Sequence, residues 1–153
     1  MKGYILSDNF LLEEFTQSQY ADRHGISMEP PQWVINNLTQ LAQNVLEPIR
    51  KIFNRPLIIT SGYRPEQVNS GIGGSKRSKH RLGLAADFKI PDLDLKTVAK
   101  IIALLGDKLN FDQLIFEHNW IHIQIAENPN ENRRMILTAV FENGSVRYDG
   151  GIV

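Results

Sequence analysis

The sequence predicts an α+β fold, with an antiparallel sheet and with helices packed on one face of that sheet. Short runs of alternating or β-branched residues predict strands, at 57–61, 84–90, 111–117, 120–125, 135–141 and 145–148. Two longer stretches, 32–55 and 94–105, repeat apolar residues every three or four positions, as amphipathic helices do. The strand pattern at 84–90 and 120–125 also places polar side chains on one common face, opposite the helices.

The N-terminal third is predicted to be helical. Ser7-Asp8 is a helix cap before residues 10–15, which carry an apolar stripe. Pro30-Pro31 opens a long helix at Gln32 or Trp33, and Arg55-Pro56 ends it. Its buried face comprises Val34, Leu38, Leu41, Val45, Ile49 and Ile52. Pro48 lies within this pattern and should kink or divide the helix.

The next segment, Leu57–Ser61, is short, apolar and β-branched, which predicts a buried strand. Arg64 follows at the tip of this strand and is suited to bind a carboxylate with two hydrogen bonds. Residues 66–79 are polar and rich in glycine, and we expect a loop there. This loop lacks the Gly-Lys-Ser/Thr ending of a phosphate-binding loop, so nucleotide binding is not expected.

The stretch Ser78–Asp87 combines a histidine and an aspartate seven positions apart. In the strand that follows the loop, Asp87 should project from the open face of the sheet, because its neighbours in the alternation face the core. Gly83 gives the backbone the freedom to fold His80 over this strand. An imidazole and a carboxylate brought together in this way supply two ligands of a zinc site with an open position.

A third ligand is available on the polar face of the strand at 120–125. His122 lies there, whereas His24 is expected in a solvated loop. If His118-Asn119 is a two-residue turn, Glu117 and His122 are diagonal neighbours on one face, within roughly 5–8 Å. A free carboxylate beside a zinc site is suited to act as general base. His118 is the competing candidate for that role.

The C-terminal elements follow from turn and cap signals. Asp94 caps a helix that runs through Leu105, and Gly106 ends it. Residues 128–132 form a loop before the strand Met135–Phe141, and Asn143-Gly144 is a hairpin turn into Ser145–Tyr148.

Composition bounds the function further. The 153 residues predict a single domain, 1–153, and we expect a monomer. Lysine plus arginine equals aspartate plus glutamate, at 17 each, so nucleic acid is not an expected partner. The absence of cysteine excludes thiol peptidases and cysteine-bound zinc. No apolar run predicts a signal peptide or a membrane span, so we expect a chain made in the cytoplasm, which would need another route to act outside it.

Together these motifs resemble the zinc D-Ala-D-Ala carboxypeptidase family, peptidase family M15, and within it the short phage- and prophage-borne members. The resemblance rests on residues 61–64, 78–87, 111–117 and 120–123. It implies the D-Ala-D-Ala carboxypeptidase or hedgehog-like fold, with the zinc site on the sheet face opposite the helices. It also implies these roles: zinc ligands His80, Asp87 and His122, general base Glu117, and substrate-binding residues Arg64 and Ser78. Trp120 is either a wall of the site that contacts the substrate or a packing residue. Several relatives place the glutamate three residues before the last histidine, where this chain has Asn119.

The activity implied by the resemblance is zinc-dependent hydrolysis of a peptide bond in the peptidoglycan stem peptide, either D-Ala-D-Ala or L-Ala-D-Glu. Two other functions are compatible with the residues. One is a non-catalytic, zinc-bearing module that binds the cell wall. The other is a glycan-cleaving lysin that uses Glu117 with Asp112 as a carboxylate pair, although the predicted strand places these two residues on opposite faces.

Overall fold

A computed structural model of the chain describes residues 3–153. Met1 and Lys2, the first two residues of the stretch on which the expectation about a signal peptide rests, lie outside the described residues. Among residues 3–153, no helix is both long enough and apolar enough to cross a bilayer. The structure is α+β, as predicted.

The N-terminal segment folds differently from the expected helix at 10–15. Two short strands, β1 (Ile5–Ser7) and β2 (Phe10–Leu11), pair with each other, and a 3-10 turn covers Leu12–Phe15. Phe10, Leu12 and Phe15 are all buried, and a bent chain brings these unevenly spaced side chains into one core. An unpredicted helix follows, α1 (Gln19–His24), and exposed His24 is its last residue, stacked on Tyr20.

The long helix is interrupted at its proline, as predicted. It consists of α2 (Gln32–Leu41), a π-helical turn (Ala42–Leu46) and α3 (Glu47–Phe53). Pro48 has no N–H to donate and its ring needs space in the preceding turn, which the wider π turn provides. The predicted apolar face is buried except for Ile52, which is half-exposed.

A six-stranded sheet, in the order β3-β4-β6-β5-β7-β8, forms the centre of the fold. Its strands are β3 (Ile58–Ser61), β4 (Ala85–Lys89), β5 (Gln113–Phe116), β6 (Ile121–Gln124), β7 (Met135–Glu142) and β8 (Ser145–Gly150). The prediction of a wholly antiparallel sheet is wrong for one pair, because β5 and β7 are parallel. Strand β4 already occupies the other edge of β6, so the chain crosses over and adds β7 beside β5.

Two expectations before β4 need correction. Strand β3 is not buried in the sheet: it is an edge strand bonded only to β4, and Ile58 is half-exposed. Residues 66–79 are not wholly a loop, because they contain a short helix, α4 (Glu66–Gly71). Buried Asn69 within this helix donates to the carbonyl of Ser75 at 2.9 Å and so ties the following loop back onto the helix.

The helix pair α2–α3, the last helix and the core lie on one face of the sheet. Helix α5 (Leu95–Ala103) is capped by Asp94, which accepts the N–H of Thr97 at 3.0 Å, and it ends slightly earlier than predicted. The core combines the apolar faces of α2, α3 and α5 with the inward residues of β4 and β6, namely Ala86, Phe88, Ile121 and Ile123, and with Leu84 just before β4. The alternate residues of the same two strands therefore face away from the helices.

Candidate metal centre

Three side chains converge on the sheet face opposite the helices. Strands β4 and β6 place Asp87 directly opposite His122, and the turn before β4 brings in His80. Oδ1 of Asp87 lies 2.9 Å from Nδ1 of His122 and 3.2 Å from Nε2 of His80. One ligand atom from each residue lies within 4.8 Å of the others, close enough to hold a single metal ion.

His80 is positioned by a 3-10 turn (Lys79–Leu82) and by the glycine that ends it. Ser78 accepts the backbone N–H of His80 at 3.2 Å, and Gly83 adopts a left-handed conformation with φ of 72°. A Cβ on Gly83 would lie 2.9 Å from the carbonyl oxygen of Val34, so this turn packs directly against α2. The sequence prediction that Gly83 frees the backbone to fold around His80 agrees with this geometry.

The outer hydrogen bonds of both imidazoles turn their lone pairs inward. Nδ1 of His80 donates to the carbonyl of Gly62 at 2.8 Å, which leaves Nε2 unprotonated. Nε2 of His122 lies 2.8 Å from Oε1 of Gln124, and a neutral ring that donates to this oxygen leaves Nδ1 unprotonated. When both rings are neutral, their inner nitrogens and Oδ1 of Asp87 are three acceptors that face one another. Two imidazole nitrogens with one carboxylate oxygen are a donor set that zinc accepts. The residues present therefore fit a metal ion.

The charges within the cluster affect its three members differently. Burial raises the pKa of Asp87, but His80 and His122 outweigh it and hold that pKa well below its usual range. Burial lowers the pKa of His80, which favours the neutral imidazole that a metal requires. Burial also lowers the pKa of His122, yet the hydrogen bond and charge of Asp87 raise it overall.

Glu117 lies beside the cluster because of the hairpin between β5 and β6. The predicted register is confirmed: Ile115 pairs with His122, and the N–H of Glu117 donates to the carbonyl of Trp120 at 3.0 Å. Within the turn, His118 has φ of 68°, and its neighbour Asn119 donates to the carbonyl of Glu117. Burial and the charge of Asp87 raise the pKa of the half-buried Glu117 carboxyl, which makes it a better proton acceptor when ionised.

His118 is directed away from this site. Its Nε2 lies 2.7 Å from the carbonyl of Ala139 on β7, and its ring packs between Phe116 and Phe141. The residue is exposed in the turn, and these contacts fix the direction of its ring. These contacts favour Glu117 over His118 for a role at the metal.

Arg64 and Ser78 border the metal cluster from the other side. The backbone N–H of Arg64 donates to the carbonyl of His80 at 3.0 Å, and its Nε donates to Ser61. One terminal nitrogen of Arg64 lies 3.6 Å from Oδ2 of Asp87, the oxygen that is turned away from the histidines. Burial lowers the pKa of Arg64 overall, although the charges of Asp87 and Glu117 oppose this shift. The guanidinium therefore sits among carboxylates, with a side chain that is 16% exposed.

An open cavity of about 680 Å³ connects these groups. Its lining includes every predicted site residue: Arg64, Ser78, His80, Asp87, Glu117, Trp120 and His122. It also includes residues that the sequence did not indicate, among them the cation Arg133 and, from the C-terminal hairpin, Leu137 and Tyr148. The hairpin reaches the site through the parallel pairing of β5 with β7, for which the strand patterns carried no signal.

Sequence reasoning also missed the residues behind His122. Gln124 contacts His122 directly, and the two-residue repeat of the strand, which places both on the same face, could have indicated it. Asp112 contacts Gln124, and its sequence pattern gives no indication of this supporting role. Arg133 contacts Asp112 from a loop beyond β6, and no local pattern could have predicted that contact.

A His-Asp-His cluster with one carboxylate beside it, at the base of an open cavity, defines the class of single-metal hydrolytic sites. A sequence model described as Peptidase M15 matches residues 8–124, which is most of the chain and includes all the predicted site residues. The chain belongs to the peptidase M15 family, a family of metal-dependent peptidases. No curated protein matches the chain.

Proposed function

We propose that this protein is a single-domain, monomeric zinc peptidase that hydrolyses a peptide bond in the stem peptide of bacterial peptidoglycan. The observation that carries the proposal is the convergence of two imidazole nitrogens and a carboxylate oxygen within 4.8 Å of one another, together with Glu117 on the same cavity wall. Membership of the M15 family supports the peptidase class. The resemblance noted from the sequence motifs favours the short phage-type members.

The proposed roles follow from the chemistry of each side chain. His80, Asp87 and His122 would hold the zinc ion, which supplies Lewis acidity when bound. Glu117 accepts a proton from the attacking water and returns it to the leaving amine. Its raised pKa, caused by burial and by Asp87, suits this exchange because it makes the ionised carboxylate a stronger base.

The substrate is proposed to be a peptide with a free carboxylate. Arg64 and Ser78 would orient that carboxylate, because a guanidinium and a hydroxyl are the donors that a carboxylate accepts. Trp120 lines the cavity and would form one wall beside the peptide. Both the D-Ala-D-Ala bond and the L-Ala-D-Glu bond of the stem peptide are compatible with this arrangement.

Digestion of purified peptidoglycan, followed by mass spectrometry of the muropeptides, tests the proposal. New amino termini that form only with the zinc-loaded protein are the expected result, and the released fragments identify the bond. Zinc content should be about one ion per chain and should be lost in His122→Ala, whereas Glu117→Gln, the control for turnover, should keep its zinc. Zinc binding without any product would favour a wall-binding module instead.

New reducing sugars would indicate a glycan-cleaving enzyme, which the position of Asp112 opposes. Both carboxylate oxygens of Asp112 accept hydrogen bonds from Arg133, and the group is 3% exposed. A carboxylate held in this way is unavailable as a partner of Glu117 in glycoside hydrolysis.

A further inference from the structure

A chain of hydrogen bonds runs behind His122, away from the metal cluster. Nε2 of His122 donates to Oε1 of Gln124 at 2.8 Å. Nε2 of Gln124 donates to Oδ2 of Asp112 at 2.9 Å. Asp112 in turn accepts from the Arg133 guanidinium, with Nε at 2.9 Å from Oδ1 and Nη2 at 2.9 Å from Oδ2. Two side chains, Gln124 and Asp112, thus connect the outer nitrogen of His122 to a partly exposed arginine.

Arg133 determines which group donates and which accepts in each of these hydrogen bonds. It binds both oxygens of Asp112, and its backbone N–H donates to Oδ1 at 3.1 Å as well. These bonds outweigh the effect of burial and hold the pKa of Asp112 at about 2. An ionised carboxylate can only accept hydrogen bonds. The amide of Gln124 must therefore present its NH₂ group to Asp112 and its oxygen to His122.

Flipping the Gln124 amide would cost free energy, because the side chain is buried and water cannot replace the hydrogen bonds that it would lose. Gln124 and Asp112 are 7% and 3% exposed. A flipped amide would set its oxygen against the Asp112 carboxylate, and both buried hydrogen bonds of the Gln124 side chain would be lost. The backbone reinforces the arrangement, because the N–H of Asp112 donates to the carbonyl of Gln124 at 2.8 Å.

We propose that Arg133, Asp112 and Gln124 form a positioning relay that holds His122 in the Nε2–H tautomer, with Nδ1 turned toward Asp87 and the metal. The relay depends on the proposed function in one respect, namely that the cluster binds a metal. The tautomer of His122 is set whether or not a metal is bound. Outer partners of this kind orient ligating histidines and raise their basicity.

The two histidine ligands are held by different means. His80 donates to a backbone carbonyl, that of Gly62, which a side-chain substitution does not remove. His122 depends on side chains, and the last of them, Arg133, lies beyond the residues 8–124 matched by the family. The relay therefore makes one metal ligand depend on the segment that enters β7, which also contributes to the cavity wall.

The experiment measures zinc affinity by competition with a chromophoric chelator. Gln124→Met removes the acceptor for His122, and we expect zinc affinity to fall about 10–100-fold. Asp112→Asn should weaken zinc in the same direction. The double variant should bind zinc no more weakly than Gln124→Met alone, because both substitutions break one chain. Gln113→Met is the matched control: Gln113 lines the same cavity on neighbouring β5 and has no role in the relay, so its zinc affinity should stay within about twofold of wild type.

The second measurement reads the tautomer directly and does not require activity. Long-range ¹H–¹⁵N spectra of the metal-free protein at alkaline pH should show His122 protonated on Nε2 in the wild type. The preference should be reduced in Gln124→Met and Asp112→Asn. Failure of the wild-type protein to bind zinc would overturn the proposed function. The spectra of the metal-free protein would still test the relay, because they report the tautomer of His122 without metal.

Three outcomes would overturn the relay: a proton on Nδ1 of His122 in the neutral wild type, zinc affinities of Gln124→Met and Asp112→Asn within about twofold of wild type, or fully additive losses in the double variant. If Gln124→Met does not fold, Arg133→Met replaces it in both measurements. The Arg133 side chain is 55% exposed, so its loss leaves little buried space unfilled.

Discussion

Replacing Asp112 with asparagine should destabilise the metal-free protein by an amount that depends on pH. The carboxylate is almost fully buried and accepts hydrogen bonds from Arg133 and Gln124. These partners lower its pKa from 3.8 to about 2. Because the folded pKa is depressed, the stabilisation is present above the unfolded value of 3.8 and is lost as pH falls through about 2.

The size of the effect follows from this shift. Each pKa unit corresponds to about 1.4 kcal/mol, so the ionised carboxylate contributes roughly 2–3 kcal/mol at pH 7 and about half of that at pH 3. Removing one partner of a fully buried ion pair costs about 3–5 kcal/mol. The loss of stability in Asp112→Asn should be about 3 kcal/mol or less, because the half-exposed Arg133 side chain can be solvated after its partner is removed. For a chain of 153 residues, the corresponding decrease in Tm is about 5–10 °C.

Urea unfolding of wild type and Asp112→Asn, with chelator present and at several pH values from 7 to 3, measures this difference. Asp107→Asn is the matched control, since Asp107 also pairs with an arginine, Arg134, at 3.0 Å but is 96% exposed. Its free energy of unfolding should match wild type, because exposed ion pairs contribute little. A difference between wild type and Asp112→Asn that stays constant from pH 7 to 3 would refute the reasoning, as would equal stability at pH 7.

Three further predictions concern the site and its support. Glu117→Gln should keep zinc and lower turnover about 10²–10⁴-fold in the muropeptide assay, and His118→Ala should have a smaller effect; the reverse ranking would exchange their roles. Arg64→Lys should lower kcat/KM about 10–100-fold, because lysine cannot form the two-pronged contact with a carboxylate, and an unchanged value would remove Arg64 from substrate binding. Gly83→Ala should destabilise the fold by more than Gly73→Ala in urea unfolding, since both positions have positive φ but only Gly83 lies against α2. Placing alanine in the left-handed conformation costs about 1–2 kcal/mol at either position. Equal losses of stability in the two variants would therefore show that the contact between Gly83 and α2 adds nothing.

Local patterns predicted the elements on which the site is built. The alternation around Asp87 and His122 gave the correct faces of β4 and β6, because a two-residue period is a property of the strand itself. The two-residue turn after Glu117 gave the correct pairing of β5 with β6, since a short turn sets the register of its hairpin. The proline in the long helix likewise marked the place where the helical hydrogen bonding changes.

Predictions that depended on distant partners were less accurate. The apolar residues at 10–15 have the spacing of a helical stripe, yet they reach the core from a short strand and a 3-10 turn. The strand at 58–61 looks buried by composition but lies at an edge, because composition does not say how many neighbours a strand has. The parallel pairing of β7 with β5 depends on which sheet edge is free after β6 has formed, and that is decided by the whole sheet.

The sequence by itself determined the family, the residues that can hold a metal and the carboxylate beside them, because these are carried by residue types at short spacings within strands and turns. Only the tertiary structure decided how His122 is held, since Gln124, Asp112 and Arg133 come from three segments and meet through side-chain contacts. It also decided that β7 and β8 wall the cavity. Hydrogen bonds and packing between distant segments depend on where the chain places them, and no local period encodes that placement.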